Sequence, residues 1–301
     1  MIPSLVIIAG PTSIGKSDVA LRIAEELKGE IVSADSRQIY RHMNIGTAKP
    51  PLSFLQKIPH YLIDIINPDQ EFSASMFKKL AEKEIDTINQ RGKVVFLVGG
   101  CGLYINAITQ GLFPSLPPSK KLREELCKKY SLPELYYKLQ EIDKETASKL
   151  SSYDKVRIVR ALEVFYLSGE KVSALRKYKT IKSNYNTIGI GLNIERDLLY
   201  QKINNRVDRM FKEGFVQEVK NLLNMGYHEN LSSMKSLGYK QVVKYLKGET
   251  DLEGTKLSMK KETRNYAKRQ ITWFKNKEKL EWFEPKEVDK IIKIIKDRLR
   301  Y

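Results

Sequence analysis

The sequence predicts an α/β protein in which a parallel sheet is flanked by helices and interrupted by an all-helical insertion. Two apolar runs, residues 5–9 and 94–98, are continuous in the way that is typical of strands buried in a parallel sheet. Each run is followed by glycines and then by a segment with helical spacing. Residues 119–180 show helical spacing with no strand signal, which predicts the insertion.

The proline-rich stretch PSLPP at 114–118 marks the first domain boundary. The run TIGIGL at 187–192 predicts a strand, which we expect to re-enter the sheet. The predicted segments are the first part of the α/β core at 1–116, the helical insertion at 117–187, and the rest of the core with basic C-terminal helices at 188–301.

The first predicted strand leads into GPTSIGKS, which has the form G-x-x-x-x-G-K-[ST] of a P-loop. The glycines let backbone N–H groups point at phosphate oxygens, and the following helix presents its positive end to the anion. Lys16 supplies a cation and Ser17 a hydroxyl suited to Mg²⁺. The order strand, loop, helix predicts a P-loop NTPase-like core, with Gly29 ending the helix. The predicted phosphate-binding residues are Gly10, Pro11, Thr12, Ser13, Ile14, Gly15, Lys16 and Ser17.

Asp35 lies just past a second predicted strand at 30–33. Ligands of open α/β sheets bind at the carboxyl ends of the strands, so this carboxylate is well placed to act as a general base on an incoming nucleophile. An Asx turn after the strand is the alternative. Position alone favours neither interpretation.

Further turns follow the remaining predicted strands. The run HYLIDI at 60–65 predicts a third strand, with Asp64 in a structural role, and Ser73 is expected to cap the helix that follows. After the apolar run at 94–98, the glycines of 99–102 allow a close approach to a ligand. A tight strand-to-helix turn without a ligand is the alternative.

The net charge of +17 is unevenly distributed. Residues 1–116 hold 12 Lys/Arg and 11 Asp/Glu, residues 117–187 hold 16 and 9, and residues 188–301 hold 25 and 16. This asymmetry favours a polyanionic partner larger than a nucleotide, although a lysine-rich composition is the alternative. In the insertion, Arg157 and Arg160 share a helix face that meets either phosphates or solvent.

Residues 256–279 contain nine basic and two acidic residues, interleaved with aromatic residues such as Tyr266. This pattern suits a phosphate backbone and exposed bases. The alternative is that the aromatic rings are core and the lysines form a solvated face. We expect core positions for Phe274 and Trp282.

Other features exclude several classes of protein. No apolar run approaches the ~20 residues of a membrane span. Cys101 and Cys127 lie far apart and match no metal-binding spacing, so we expect reduced thiols in a cytoplasmic protein.

Several stretches together resemble the bacterial tRNA dimethylallyltransferases (tRNA isopentenyltransferases, the IPP transferase family). The resemblance covers most of the chain, and its DSRQ-to-GTAKP and TR-x-YAKRQ-x-TWF parts are far more specific than the P-loop. The matching stretches are GPTSIGKS at 10–17, SADSRQIYRHMNIGTAKP at 33–50, LVGGCGLYINAI at 97–108, VRIVRALEV at 156–164, MKSLGYKQ at 234–241 and TRNYAKRQITWF at 263–274.

The resemblance implies transfer of a dimethylallyl group from dimethylallyl diphosphate to N6 of the adenosine 3′ of the tRNA anticodon, with diphosphate as the leaving group. Asp35 matches the family's general base. Lys16, with Mg²⁺ at Ser17, would neutralise the departing diphosphate, and Arg206 would contact it.

The resemblance also implies that the target base flips out of the anticodon loop and that the insertion clamps the anticodon stem-loop. Cys101 stands where the family usually has Thr. We expect a cytoplasmic monomer. The implied tRNA-binding residues are Asp35, Ser36, Arg37, Gln38, Cys101, Arg123, Val156, Arg157, Ile158, Val159 and Arg160.

Three other functions share parts of these features. A small-molecule P-loop kinase would use the first part of the chain equally well but has no need of the basic remainder. An isopentenyltransferase acting on free adenine nucleotides shares the chemistry but needs no basic insertion. A nucleic-acid-binding ATPase would leave Asp35 without a purpose.

Overall fold

The computed structural model describes residues 4–114 and 117–299, so part of the predicted PSLPP boundary, residues 115 and 116, lies outside the described residues. The chain divides into two compact units. The core unit comprises the residues up to 109 and those from 184 onward, and the helical unit comprises residues 110–183. The sequence predicts the insertion at 117–187.

The core unit begins with alternating strands and helices, as expected for a parallel sheet. The elements are β1 (Ser4–Ala9), α1 (Lys16–Glu26), β2 (Glu30–Ser33), α2 (Leu52–Lys57), β3 (His60–Tyr61), α3 (Ala74–Gln90), β4 (Val95–Gly99) and α4 (Gly102–Thr109).

The helical unit contains only helices among its described regular elements. They are α5 (Lys120–Lys129), α6 (Leu132–Ile142), α7 (Lys144–Ser148), α8 (Lys155–Ser168) and α9 (Val172–Tyr178). The chain then returns to the core unit through β5 (Asn186–Leu192), α10 (Arg196–Lys212), α11 (Phe215–Asn224), α12 (Tyr239–Leu246), α13 (Leu252–Lys277), β6 (Glu281–Phe283) and α14 (Val288–Leu299).

The six strands form one parallel sheet in the order β3-β2-β4-β1-β5-β6. This confirms the predicted fold class. β1 lies between β4 and β5, with Ile7 paired to Leu97 on one side and to Gly189 on the other. The carboxyl ends of β1, β2, β4 and β5 therefore meet at one edge, where ligands of such sheets bind.

Helices cover both faces of the sheet. Alternate residues of β1 point to opposite faces, as the strand period requires. Val6 and Ile8 pack in a cluster with α1 and α14, whereas Leu5, Ile7 and Ala9 pack with α3 and α4. A third cluster joins α10, α11 and α12 to the loop after β2. Phe274 is fully buried, which confirms its predicted core position.

The structure corrects the predicted third strand. β3 ends at Tyr61, because Leu62 and Asp64 adopt left-handed backbone conformations with φ of 62° and 57°. Asp64 does form an ion pair, with Lys49, in keeping with the structural role predicted for it.

The end of α1 also differs from the prediction. Lys28, rather than Gly29, adopts the left-handed conformation, with φ of 48°. A Cβ at Gly29 would lie only 2.3 Å from the Phe96 ring. Glycine is therefore required there by packing against β4 rather than by the helix end.

No helix in the described parts of the chain is long and apolar enough to cross a membrane.

Candidate active site

The P-loop lies at the carboxyl end of β1. Gly15 has a φ of 101° and precedes α1 directly, and a Cβ at Gly10 would lie 2.8 Å from the carbonyl oxygen of Leu192. Both glycines are thus required by geometry. The ammonium of Lys16 donates to the carbonyl oxygens of Gly10 (3.0 Å) and Pro11 (2.8 Å). The loop therefore holds its own cation over the start of the helix.

Arg206 from α10 joins the same loop, where its guanidinium donates to Oγ1 of Thr12 at 3.2 Å. Burial lowers the pKa of Lys16 to about 8; the carboxylate of Asp35 acts in the opposite direction, and the nearby Arg206 lowers it further. Burial also lowers the pKa of Arg206, again opposed by Asp35. Two cations and one carboxylate thus influence one another across this site.

Asp35 forms an Asx turn, which was the alternative to a general base in the sequence analysis. Its Oδ1 accepts hydrogen bonds from the backbone N–H groups of Arg37 (2.8 Å) and Gln38 (3.3 Å). Within the described chain, no hydrogen bond reaches Oδ2. The turn therefore fixes the carboxylate through one oxygen and leaves the other available, so the two interpretations are compatible.

The residues after Asp35 are partly engaged by the protein itself. The amide of Gln38 donates to the carbonyl oxygen of Ala48 at 3.1 Å, and Arg37 donates to that of Ser232 at 3.5 Å. Both side chains are half-buried. The turn is thereby attached to the 47–48 loop and to the segment before α12.

Cys101 lies beside this turn. Its backbone N–H donates to the carbonyl oxygen of Ala34 at 3.1 Å. Burial raises the pKa of the thiol, and the charge of Asp35 raises it further, while hydrogen bonds with the start of α4 and with Ser36 oppose the rise. The structure thus brings Cys101 to the general-base candidate, as a neutral thiol.

Gln270 of α13 was not among the predicted site residues. Its Oε1 accepts from the Thr12 backbone N–H at 2.9 Å, and its Nε2 donates to the carbonyl oxygen of Gly100 at 2.8 Å. A Cβ at Gly100 would lie 2.4 Å from that Nε2. The glycine-rich turn after β4 therefore admits Gln270, which ties it to the P-loop. The only sequence signal was its place in the TR-x-YAKRQ stretch.

Glu218 of α11 was also missed. Its carboxylate accepts hydrogen bonds from three successive backbone N–H groups, those of Asn44 (2.8 Å), Ile45 (2.7 Å) and Gly46 (3.1 Å). It also accepts one from the hydroxyl of Tyr239 at 2.7 Å. An isolated glutamate on an amphipathic helix gives no sequence signal for such a role. Glu218 holds the loop to which Gln38 is bound.

Thr12, Asp35 and Gln270 are among the residues that line a cavity of about 1030 Å³ within the core unit. Ser13 contributes a buried hydroxyl that has no hydrogen-bond partner in the structure, which fits an anionic ligand at the loop. Ile14 is fully buried in the core, so it offers only its backbone. The predicted residues that line the cavity are Thr12, Ser13, Gly15, Lys16, Ser17, Asp35, Gln38 and Arg206.

The donor set also fits Mg²⁺ bound largely through a substrate. Ser17 lines the cavity next to Lys16. Within the described residues, no group of three His, Cys, Asp or Glu side chains is arranged to hold a metal ion. Mg²⁺ is commonly held by few protein ligands together with substrate phosphates and water. The Ser17 hydroxyl would then be the protein ligand.

The predicted tRNA-binding residues of the helical unit differ in their exposure. Ile158 and Val159 are buried in the core of that unit, because they lie on the inward face of α8. Their contact with tRNA stays a prediction. Val156 is 80% exposed, and Arg157 is exposed and paired with Asp154, the N-cap residue of the helix.

Arg123 and Arg160 converge on a buried carboxylate. The side chain of Glu163 is fully buried and accepts from Arg123 at 2.9 Å and from Arg160 at 2.6 Å. It also accepts from the backbone N–H of Ser119 at 2.6 Å. Burial favours a raised pKa for Glu163, but the bonds from the two arginines and Ser119 hold it below its usual value. These arginines thus have a structural role inside the unit.

Known proteins match this chain over nearly its whole length. The family model for IPP transferase matches residues 38–277. A tRNA dimethylallyltransferase of Thermoanaerobacter sp. (strain X514) is 48% identical over 286 residues, 93% of this chain and 91% of that protein. The tRNA dimethylallyltransferase 2 of Geotalea uraniireducens (strain Rf4) is 45% identical over 284 residues, covering 93% and 92%.

Two solved structures agree with these relatives. The full-length tRNA isopentenylpyrophosphate transferase of Bacillus halodurans has a TM-score of 0.74 and 39% identity, over 99% of this chain and 97% of that one. A eukaryotic dimethylallyltransferase acting on tRNA has a TM-score of 0.80 and 26% identity, over 93% and 74%. From the length of these matches and the identity of the relatives, the chain belongs to the IPP transferase family.

Proposed function

We propose that the protein transfers the dimethylallyl group of dimethylallyl diphosphate to N6 of the adenosine 3′ of the anticodon in tRNA. The observation that supports this most directly is that the P-loop lysine, Arg206 and the Asp35 carboxylate line the same cavity. The relatives named tRNA dimethylallyltransferase support the same reaction. We further propose a cytoplasmic monomer; the free thiols of both cysteines suit a reducing compartment.

On the donor side, the P-loop and Arg206 bind the diphosphate. Lys16 and Arg206 neutralise the negative charge that develops as the bond between the allylic carbon and the diphosphate oxygen breaks. The hydroxyls of Ser13 and Thr12 line the same part of the cavity and add hydrogen-bond donors. When bound, Mg²⁺ at Ser17 supplies further charge neutralisation.

On the acceptor side, the adenosine leaves the anticodon loop and enters the cavity, at a cost of about a few kcal/mol for an extruded base. Oδ2 of Asp35 accepts a hydrogen bond from the exocyclic amine and takes its proton as the bond from N6 to the allylic carbon forms. The Asx turn keeps this oxygen in place. The products are N6-dimethylallyladenosine in tRNA and diphosphate.

One assay tests the proposal against its alternatives. The protein is incubated with Mg²⁺ and labelled dimethylallyl diphosphate, and with either tRNA or AMP. We expect label in tRNA and none on AMP. Label on AMP alone would identify an isopentenyltransferase of free nucleotides. A parallel reaction with labelled ATP and no prenyl donor measures phosphoryl transfer or hydrolysis, which a kinase or ATPase would show.

A further inference from the structure

Two of the stretches that carry the family resemblance, GTAKP at 46–50 and MKSLGYKQ at 234–241, supply no reacting group to the proposed transfer. The structure brings these two stretches together. A Cβ at Gly46 would lie 2.2 Å from the ring of Phe215 and 2.6 Å from the ring of Tyr239. Only glycine lets the backbone approach these rings so closely, so the two stretches form one packed contact.

Glu218 of α11 lies where the two stretches meet. One carboxylate oxygen accepts from the backbone N–H groups of Asn44 and Ile45, and the other accepts from that of Gly46 and from the hydroxyl of Tyr239. Burial, together with the charge of Glu218, raises the pKa of Tyr239, so this hydroxyl keeps its proton for the bond. Hydrogen bonds to a charged acceptor are roughly twice as strong as neutral ones. The carboxylate therefore joins both stretches firmly.

The loop that Glu218 holds is a tight turn. The backbone N–H of Ala48 donates to the carbonyl oxygen of Ile45 at 3.0 Å, and Ala48 adopts a left-handed conformation with a φ of 47°. The N–H groups of residues 44–46 are not used by the turn itself, as in the first turn of a helix. Glu218 therefore caps this turn from a helix that is distant in sequence.

The other end of the same turn reaches the candidate active site. The carbonyl oxygen of Ala48 accepts from the side-chain amide of Gln38 at 3.1 Å, and the backbone N–H of Gln38 donates to Oδ1 of Asp35 at 3.3 Å. All three residues line the cavity. A continuous series of contacts thus runs from Glu218 through the turn to the general-base candidate.

We propose that Glu218 is a positioning residue for the acceptor side of the reaction. By capping the turn it holds Gln38, and through Gln38 it keeps the Asp35 carboxylate aligned with the incoming amine. This inference rests on the proposed function. A misplacement of about 1 Å in a catalytic site can lower the rate about 100-fold. The P-loop and Arg206 lie outside this series of contacts, so the effect falls on turnover rather than on donor binding.

Glu218→Gln tests this role, because the amide keeps the size of the carboxylate but offers an NH₂ group where one oxygen had accepted hydrogen bonds. We expect kcat at saturating tRNA to fall at least about tenfold, with the KM for dimethylallyl diphosphate unchanged. Tyr239→Phe removes only the hydroxyl bond, so it should lower kcat by less, and it also tests the role if Glu218→Gln does not fold. The matched control, Glu229→Gln, removes an exposed partner of Lys247 and should leave kcat unchanged.

A double-mutant cycle with Gln38→Met distinguishes positioning from a general effect on stability. If Glu218 acts through Gln38, Glu218→Gln should lower kcat much less in the Gln38→Met background than in the wild type. Additive effects on log kcat, an unchanged kcat in the folded variants, or a donor KM that rises as kcat falls would each overturn the inference and leave the proposed function intact. If the wild-type protein transfers label to no tRNA, the proposed function fails, and this inference fails with it.

Discussion

Gln270 and Thr12 are joined by a hydrogen bond across 258 positions of the sequence, from the Thr12 backbone N–H to the Gln270 side chain at 2.9 Å. The other end of the same amide holds the carbonyl oxygen of Gly100. A side chain of α13 thereby fixes the P-loop relative to the turn after β4. Because Thr12 also accepts from Arg206, the position of that arginine depends on the same contact.

Replacing Gln270 by methionine tests this positioning role. Methionine keeps the length of the side chain but leaves Thr12 N–H and the carbonyl of Gly100 without partners, which costs about 1–3 kcal/mol for each unsatisfied group. We expect the KM for dimethylallyl diphosphate to rise at least about tenfold, the kinetic equivalent of one such bond. Gln217→Met on the exposed face of α11 is the control. An unchanged KM for the donor would contradict the role.

Asp35→Asn separates the two functions of this residue. Asparagine retains Oδ1, and with it the hydrogen bonds from Arg37 and Gln38, but it cannot take a proton. We expect turnover to fall at least ~100-fold, the usual scale for a general base, with tRNA affinity unchanged. Asp69→Asn in an exposed loop controls for the change of charge. Near-normal turnover in Asp35→Asn would mean that Asp35 forms the Asx turn and does not act as the general base.

The lowered pKa of Lys16 predicts a pH effect on donor binding. The free protein loses this cation as the pH rises through about 8, so kcat/KM for dimethylallyl diphosphate should fall above that pH. Bound diphosphate favours the charged lysine, so the fall in kcat should occur at higher pH. Removing the charge of Asp35, which raises the pKa of Lys16, should move the fall in kcat/KM to lower pH. Identical profiles in wild type and Asp35→Asn would count against this coupling.

Lys16 should also affect stability. Its pKa in the folded protein, about 8, is below the ordinary value of a lysine, 10.5, so the unfolded chain binds more protons between these values. The charge therefore destabilises the fold below pH 8, by up to about 3 kcal/mol, and this cost disappears as the pH rises toward 10.5. Lys16→Met should raise the free energy of unfolding at pH 7 and do so much less at pH 10. Urea unfolding of the wild type and Lys16→Met at both pH values measures these free energies. An equal effect of the substitution at both pH values would exclude a destabilising charge on Lys16.

Glu163 should be essential to the helical unit. Glu163→Gln removes the charge that Arg123 and Arg160 share in a buried site, and breaking a buried pair costs about 3–5 kcal/mol. Glu145→Gln removes a partner of Lys149 in an exposed pair and should cost less than about 1 kcal/mol. Thermal unfolding of both variants gives the comparison. Equal losses of stability would mean that the buried carboxylate of Glu163 contributes no more to stability than the surface carboxylate of Glu145.

This ion-pair cluster changes how RNA binding by α8 is best tested. A variant lacking Arg160 perturbs the packing around Glu163 as well as any contact with RNA. Arg157 is exposed, and its partner Asp154 is only the cap of the same helix. Arg157→Ala is therefore the informative variant, and a reduced salt slope of tRNA binding would support contact with phosphate.

The sequence alone was sufficient to predict the positions of residues that are determined by neighbouring segments of the chain. The P-loop glycines and Asp35 are each defined by the strand that precedes them, and the structure places them as expected from that order. The same local information misplaced the end of the third strand, because Leu62 belongs to an apolar run yet turns left-handed. β6, three residues long at the sheet edge, was too short to give a signal.

Contacts between distant segments were the main features that could not be predicted from the sequence. Gln270 and Glu218 each bind backbone groups far away in sequence, so no spacing rule could find them. The burial of Ile158 and Val159 could not be predicted for a different reason. They lie in a stretch that the family resemblance associates with tRNA, and only the orientation of α8 shows that they face inward.

The place of the helical unit within the chain has a consequence for biosynthesis. β1 requires β5 as a neighbour, and its loop requires Gln270, but both are translated after the whole helical unit. The helical unit is one continuous segment and can fold as soon as it emerges. A ribosome-bound chain should therefore carry a folded helical unit and an incomplete sheet of β3, β2, β4 and β1, in which the β1 edge still lacks β5. Chaperones that shield nascent chains would be needed most for the half that is made first.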